Sequence, residues 1–502
     1  MTTSAATKGV GFRSERGPVL IAVMLSTALV ALDSTIIATA VPSVVRDLGG
    51  FAQFPWLFSI YLLTQAVTVP LYGKFADVLG RRPVMFFGIA AFLVGSVLCG
   101  AAWSMPVLIA ARAVQGIGAG AIQPMSMTVI GDLYTVEERA RVQGYVASVW
   151  GVASVVGPTL GGVFAEYLDW RWIFFINLPL GAIAALMLFR NFAEHVERKP
   201  HKVDYLGAAL LTTGCSLVIL GLLEGGVAWA WGSLPSVGIF VAGALLLVAF
   251  VLAEKRAAEP VLPLWVFTRR VLVGGNLVAL VVGAVLMGLT SYLPTYAQGV
   301  LGAGALVAGF AVAALTVGWP ISASLAGKIY LRIGFRDTAL IGSVFIIAGG
   351  VLVALLGAGS SLWAAAFAAF VLGVGLGLAA SPTLVAIQSV VGWDRRGVVT
   401  ATNLFSRSLG SAVGAAVFGA IANATLASRF ANPPAEVGPL PPSVDATSLV
   451  LGGHAPDSPA AVFVRGALAD ATHYVFLGLL AVAVLSVGAL LLMPRKTEQL
   501  EF

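Results

Sequence analysis

The chain has 502 residues, 59% hydrophobic and only 10% charged, with a formal net charge of +6. Soluble domains carry about 25% charged residues, so these proportions exclude a water-soluble globular fold. At about 20 apolar residues per spanning helix, the length holds roughly twelve to fourteen spans and leaves no room for a soluble domain of ordinary size.

Residues 1–17 form a polar, mildly basic lead without a small-residue cleavage site, which reads as a cytoplasmic tail and not a signal peptide. Apolar runs then occupy 18–41, 56–73, 84–103, 106–130, 142–166, 171–192, 205–224, 234–253, 272–296, 304–326, 338–357, 361–390, 398–425 and 471–493, predicting fourteen membrane helices. The loops on the N-terminal side hold 23 of the 29 Lys and Arg, and the other side holds only Arg46, Arg171, Arg429 and Arg465. That asymmetry places both termini in the cytoplasm. Arg112 and Arg407 fall inside spans. Cys99 and Cys215 sit in apolar runs as small buried hydrophobes. His195, His201, His454 and His473 show no metal-ligand spacing.

The first span reads Ala31-Leu32-Asp33-Ser34-Thr35 and runs on to Pro42, placing a carboxylate in hydrocarbon. Such a group costs about 2.5–3.5 kcal/mol on insertion scales and marks function by default. Burial pushes carboxyl groups toward exchanging a proton near neutral pH, which makes Asp33 the candidate proton carrier. The bland alternative is a carboxylate locked in a permanent ion pair.

Between the second and third spans lies Gly73-Lys74-Phe75-Ala76-Asp77-Val78-Leu79-Gly80-Arg81-Arg82, a polar, glycine-bounded loop. A second version, Gly327-Lys328-Ile329-Tyr330-Leu331-Arg332-Ile333-Gly334-Phe335-Arg336, follows 254 residues later. An internal repeat between hydrophobic helices marks the two related halves of a transporter. Leu331 stands where the first copy has Asp77, so the two loops are not expected to be functionally equal.

The fourth span carries Arg112-Ala113-Val114-Gln115-Gly116-Ile117-Gly118-Ala119-Gly120. By helical rise Asp33 lies about 12 Å and Arg112 about 9 Å from the outer ends of their helices, at nearly one level. Gly116, Gly118, Gly120 and Pro124 are echoed by Gly373, Gly375, Gly377 and Pro382, and small residues of this kind permit close helix packing. Gln123 and Gln388 are candidates for a cavity. In the fifth span Gly151 and Gly157-Pro158-Thr159-Leu160-Gly161-Gly162 make a bendable, tightly packed helix suited to a moving interface.

The repeat offset exceeds the roughly two hundred residues of a six-helix unit, and two spans between His195 and Arg270 account for the surplus. The chain therefore divides into residues 1–203, an inserted helical pair 204–270, and residues 271–502. Glu224, near the outer end of the seventh span, reads as a carboxylate snorkelling to water and is a second proton-coupling candidate. Asn276, Tyr292, Tyr296, Gln298, Asn403 and Arg407 are polar or aromatic positions of which some are expected to line a cavity, and Trp150 is either an aromatic platform for a flat ligand or, the favoured reading, interfacial packing. Residues 426–470 form the one long loop, on the outer side, with clustered prolines and a helix-compatible stretch from Pro459 to Asp470.

These elements resemble the Major Facilitator Superfamily. Its loop signature G-x-x-x-D-x-x-G-R-R/K is matched at Gly73, Asp77, Gly80, Arg81 and Arg82, and Gly327, Lys328, Gly334 and Arg336 are the partial second copy. Asp33 and its neighbours resemble the L-D-x-T…P first span of the fourteen-span drug:proton antiporters, in which that acid is linked to proton coupling. Arg112 to Gly118 resembles the R-x-x-Q-G-x-G element. The segment through Gly157, Pro158, Gly161 and Gly162 resembles the antiporter signature G-x-x-x-G-P-x-x-G-G, tied to export, with Ala153 in place of its first glycine. Tyr296-Ala297-Gln298-Gly299 is similar to the family's outer end of that helix.

The resemblance implies an all-α membrane fold of two six-helix halves plus the inserted pair, working by alternating access. It implies that the first and fourth spans adjoin, so that Asp33 and Arg112 can form a switchable salt bridge; the alternative for Arg112 is a donor that tethers its helix to neighbouring backbone carbonyls. It also implies that Asp77 lies against the start of the thirteenth span near Val398. No G-x-x-x-x-G-K-S/T is present, which excludes a nucleotide-driven pump of that class. The reading is a non-enzymatic, cofactor-free exporter of amphipathic or cationic drugs in exchange for protons. It is expected as a monomer in the bacterial inner membrane, with small hydrophobic or cationic molecules, protons and the lipid bilayer as partners and no nucleic acid. Export of a cell-envelope lipid or endogenous metabolite, and a non-transporting membrane sensor of the same fold, are the alternatives.

Overall fold

A computed structural model of the chain describes residues 11–49, 53, 56–194, 204–226, 228–257, 260–431, 433–434 and 459–496. Expectations on residues 1–10, His195, His201, His454 and most of the 426–470 loop lie outside them. The elements in order are α1 (Gly17–Leu48), α2 (Trp56–Leu79), α3 (Arg81–Gly100), α4 (Met105–Leu133), α5 (Val136–Tyr167), a single turn Trp172–Phe175, and α6 (Asn177–Asn191). Then come α7 (Tyr205–Glu224), α8 (Leu234–Glu254), a short 3-10 turn Leu264–Phe267, and α9 (Arg270–Gly299). The chain closes with α10 (Ala305–Ile333), α11 (Phe335–Ala354), α12 (Leu362–Ser389), α13 (Trp393–Phe430) and α14 (Pro459–Leu491).

Among the described residues 13 helices are long and apolar enough to cross a membrane. The other of the fourteen, α2, has 24 residues and carries Thr64, Gln65, Thr68, Lys74 and Asp77 among its apolar ones. The helix-compatible stretch from Pro459 is the start of α14, and α13 reaches Phe430, so both ends of the predicted 426–470 loop are helical. Trp103, Tyr167, Trp172 and Trp363 stand exposed where helices end on the face away from the termini, as amphipathic rings do at a bilayer interface.

The packing repeats when every helix number is advanced by eight. α1 packs on α5 and α6 as α9 does on α13 and α14, while α4 packs on α2 and α3 as α12 does on α10 and α11. Between the two groups, α2 lies along α13 and α5 along α10. Glycines explain the closeness. In α4 a Cβ at Gly116 or Gly120 would strike the backbone and threonine hydroxyls of α2, and one at Gly118 would strike α3. In α12 Gly373 and Gly377 face α10 while Gly375 faces α11. The glycine echo read from the sequence is thus one packing device used twice. α7 and α8 pack on each other, with α7 touching α2 and α13, and α8 turns Val237, Val241, Leu245, Val248 and Leu252 outward.

Both signature loops collapse to a single residue between helices. Gly80 has φ 96° and Gly334 φ 90°, a left-handed turn that only glycine adopts without strain. Here the second glycine of each copy joins two helices that would otherwise run on as one.

Candidate functional site

Asp33 lies at the centre of a polar network enclosed by α1, α2, α3, α4 and α6. Its Oδ2 accepts from Arg112 Nη1 at 2.5 Å and its Oδ1 from Gln115 Nε2 at 2.7 Å. Asn177 Nδ2 approaches Oδ1 at 3.4 Å. Arg112 also donates to Gln115 Oε1 at 2.7 Å and to the Leu57 carbonyl at 3.2 Å, and its guanidinium covers the Tyr61 ring 4.1 Å from the centroid. Ser96 Oγ accepts from both Gln115 and Asn177. Both charged side chains are 1% exposed. A buried pair survives only when its remaining hydrogen-bonding positions are filled, and here Gln115, Asn177 and the Leu57 carbonyl fill them. Gln115 is the hub, because its amide meets the acid, the arginine and Ser96 together.

Ser96, Asn177 and Tyr61 were not among the residues singled out from the sequence. The available signal was that each is polar inside an apolar span, but nothing in linear order ties them to Asp33.

Two residues beyond Asp33, Thr35 Oγ1 donates to the Ala153 carbonyl of α5 at 3.0 Å. A Cβ at Gly157 would collide with that hydroxyl. Ala153, the departure from the signature, is therefore the residue whose carbonyl receives the bond. On its other side α5 meets α10, where Ser154 Oγ lies 3.1 Å from Thr316 Oγ1 and Gly151 abuts the Thr316 carbonyl. Pro158 is within α5, Gly161 is buried and Gly162 has open space beside it.

The face bearing the termini is closed by the first signature loop. Asp77 Oδ1 and Oδ2 accept from the consecutive N–H groups of Gly397 and Val398 at 2.8 Å each. Both lie one turn inside α13, which begins at Trp393, five residues before the span start of 398 read from the sequence. Gly73 admits this approach, since a Cβ there would collide with Ala401. Arg81, 0% exposed, donates to Asp132 at 2.9 Å, to the Ala76 carbonyl at 2.9 Å and to the Trp393 carbonyl at 2.5 Å, and stacks 3.8 Å over the Trp393 ring. Asp132 turns its other oxygen to Arg396 at 2.5 Å. Tyr330 Oη donates to the Val136 carbonyl at 2.6 Å and Ser381 to Gln143 at 2.6 Å.

Glu194 caps α3 by accepting from the backbone N–H groups of Arg81 and Arg82, and the Arg82 side chain bonds the Phe189 carbonyl. At the same face Arg16 forms a forked pair with Glu138, whose carboxylate pushes the Arg16 guanidinium above its ordinary value. In the second copy Leu331 is 50% exposed where Asp77 is buried, and Arg336 reaches only Asp337 and the Met493 carbonyl. The two loops thus make different contacts, and among the described residues Lys328 has no hydrogen-bond or ion-pair partner.

The cavity candidates separate. Gln123 and Arg407 meet across the two helix groups, Arg407 Nη2 donating to Gln123 Oε1 at 3.3 Å. Asn403 instead ties α13 to α9 through the Gly275 carbonyl at 3.0 Å, with Asn276 Oδ1 at 3.5 Å. Gln388 sits in the closed face, bonded to Thr400 and the Met127 carbonyl. Tyr296 donates to the Gly357 carbonyl and lines a pocket of about 450 Å³ away from the termini, with His473 and the paired Arg429 and Asp470. Gln298 is half-buried near the outer end of α9, and Trp150 and Tyr292 are partly buried against apolar clusters. Glu224 does not reach water as expected: it is 4% exposed, turned toward Ser59 of α2, because α7 packs that end against the bundle.

Replacing Asp77 by Asn is expected to loosen this face. The amide offers one acceptor where two N–H groups converge and sets a donor against the other, a loss of about 1–3 kcal/mol. A cysteine placed at Val398 should then label faster from that side; an unchanged rate contradicts the role of Asp77.

The family model described as the Major Facilitator Superfamily matches residues 23–415. The chain is 34% identical over 414 residues to the multidrug transporter protein MdtP of Bacillus subtilis, covering 82% of this chain and 76% of that one. It is 33% identical to multidrug resistance protein 3 of the same species, over 80% and 79% of the two chains. The efflux pump dotC of Dothistroma septosporum is 30% identical over 96% of this chain and 84% of its own. Among solved structures, the human organic anion transporter MFSD10 superposes with a TM-score of 0.61 at 16% identity, over 93% and 99% of the chains, and shares the fold.

Proposed function

Because the chain belongs to the Major Facilitator Superfamily, as a multi-pass membrane transporter and not an enzyme, we propose that it exports amphipathic or cationic small molecules, drugs among them, in exchange for protons. The relatives named as multidrug transporters and efflux pumps support export. The observation that carries proton exchange is the Asp33–Arg112 pair, enclosed yet two residues from the contact of α1 with α5.

In this reading residues 1–203 and 271–502 are the two six-helix halves, 204–270 is the inserted pair, and the termini are cytoplasmic in a bacterial inner membrane. The charge asymmetry supports the orientation. Hydrogen bonds between the halves crowd toward the face of the termini, from Asp77 on Gly397 and Val398 to Ser154 on Thr316 about halfway along α5, which supports reading this conformation as outward-facing.

In this state the enclosed carboxylate cannot touch a drug, so drug and proton compete through conformation. A proton reaching Asp33 from outside discharges the pair and leaves Arg112 held by Leu57 and Gln115. The strongest bond between α1 and α4 is then gone. α1 carries the change through Thr35 to Ala153 and Gly157 of α5, and α5 carries it through Ser154 to α10 of the other half. The closed face opens when α5 and α2 slide on α10 and α13. On return, the cytoplasmic side receives the proton as Asp33 pairs again with Arg112.

Arg112 is the partner that Asp33 must leave and rejoin in each cycle, so Arg112→Gln is expected to change the pH profile of exchange and Arg112→Lys to change it less. The measurement is drug uptake into inverted vesicles across a pH series. An unmoved profile in folded protein leaves Arg112 a packing role only.

A further inference from the structure

Arg407 is a second intramembrane arginine, and the cycle above does not use it. It stands fourteen residues into α13, about 21 Å along the helix. Arg112 has a carboxylate against it, whereas Arg407 has only the neutral amide oxygen of Gln123, reached from the opposite half at 3.3 Å. Among the described residues no carboxylate lies within ion-pair distance of its guanidinium. The helix cannot turn the side chain elsewhere. The Arg407 carbonyl is packed directly on Gly283 of α9, and Ser411, one turn on, bonds the Gly283 carbonyl at 3.1 Å. The side chain is only partly covered. A guanidinium presents five N–H donors in a rigid fork that matches carboxylate and phosphate, and here one donor is spoken for by a weak neutral acceptor. One to two turns nearer the start of α13 lies a small apolar cluster of Val69, Ala401 and Leu404, with Met127 and Phe405 against it.

We infer that Arg407, with Gln123, is the anion-binding point of the transport path, taking the carboxylate or phosphate head of an amphipathic acid. The inference rests on the export reading and adds acidic amphiphiles to it as a substrate class, because a guanidinium held by a neutral amide attracts a carboxylate or phosphate. The acid comes either from solution or from the headgroup of an anionic lipid.

The test uses the full chain in phosphatidylcholine nanodiscs and two fluorescent probes, 11-(dansylamino)undecanoic acid and its methyl ester. Wild type is expected to bind the acid roughly tenfold more tightly than the ester or better. Arg407→Gln should bind both alike, and Arg407→Lys should keep part of the gap. Ester affinity unchanged across the variants shows that the path is intact. Phosphatidylglycerol in the nanodisc that displaces the acid identifies a lipid headgroup as occupant; failure to displace it identifies a soluble acid. Equal binding of acid and ester by wild type, or a gap that persists in Arg407→Gln, overturns the inference. Efflux of the two probes from proteoliposomes, driven by a pH gradient, reports separately on the export reading: selective acid binding by a wild type that drives efflux of neither probe leaves the anion site standing and removes that reading.

Discussion

Asp33→Asn protein is expected to insert, fold and bind neutral substrates while losing uphill efflux driven by a pH gradient altogether. The amide keeps the size of the carboxylate and one acceptor for Gln115 or Arg112, so the network of Ser96, Gln115 and Asn177 keeps its shape. What disappears is the titratable charge, and with it the switch between a paired and a discharged Arg112. Stripping a buried ion of its partner costs about 3–5 kcal/mol, here reduced because Arg112 retains the Leu57 carbonyl and Gln115 Oε1. Asp33→Glu, which restores the charge one methylene too long, should recover part of the efflux. Proteoliposome efflux with an imposed pH gradient, paired with thermal unfolding of each variant, separates lost coupling from lost fold. Wild-type rates in Asp33→Asn contradict the assignment.

Arg81→Ala is expected to have the other large effect, on the resting conformation. Arg81 holds Asp132 and Asp77 and the Trp393 carbonyl at once, buried under the Trp393 ring. Its removal leaves two carboxylates facing each other without a cation, apart from Arg396 on Asp132, a loss of about 3–5 kcal/mol by the same argument. The closed face should open in most molecules, read out as rapid labelling of a cysteine at Val398 and a lowered unfolding temperature. Arg81→Lys should rescue little, since a single ammonium cannot span three acceptors in one plane. Arg82, which only bonds the Phe189 carbonyl and stacks on Phe86 and Phe189 at the surface, makes the control: Arg82→Ala should leave labelling near wild type.

Much of this was legible in the sequence because membrane insertion obeys few rules. Apolar runs of the right length gave the spans, and glycines at matching places gave the repeat that reappears as paired helix contacts. Asp33 and Arg112 were legible as a pair because charge in hydrocarbon is conspicuous and helical rise puts them at one level. Their supporting residues were not, since Ser96 and Asn177 are unremarkable alone and acquire meaning only when three helices bring them to one amide. The closed face was half visible. Asp77 and Arg81 stand in a recognisable motif, whereas Asp132, Glu194 and Arg396 look like ordinary loop charges until the ends of α4, α6 and α13 converge. Glu224 misled because a carboxylate at a helix end ordinarily finds water, and only the packing of α7 on α2 shows that this one does not. Arg407 was visible as a buried cation, but its lack of a carboxylate is a fact of three dimensions.

The central claim is that Asp33 carries the exchanged proton, and substrate-induced proton release from detergent-solubilised protein tests it most directly. Adding a transported substrate to weakly buffered wild-type protein should acidify the medium, and the same addition to Asp33→Asn should release nothing. Undiminished release from Asp33→Asn contradicts the account and passes the role to another acid, Glu224 first.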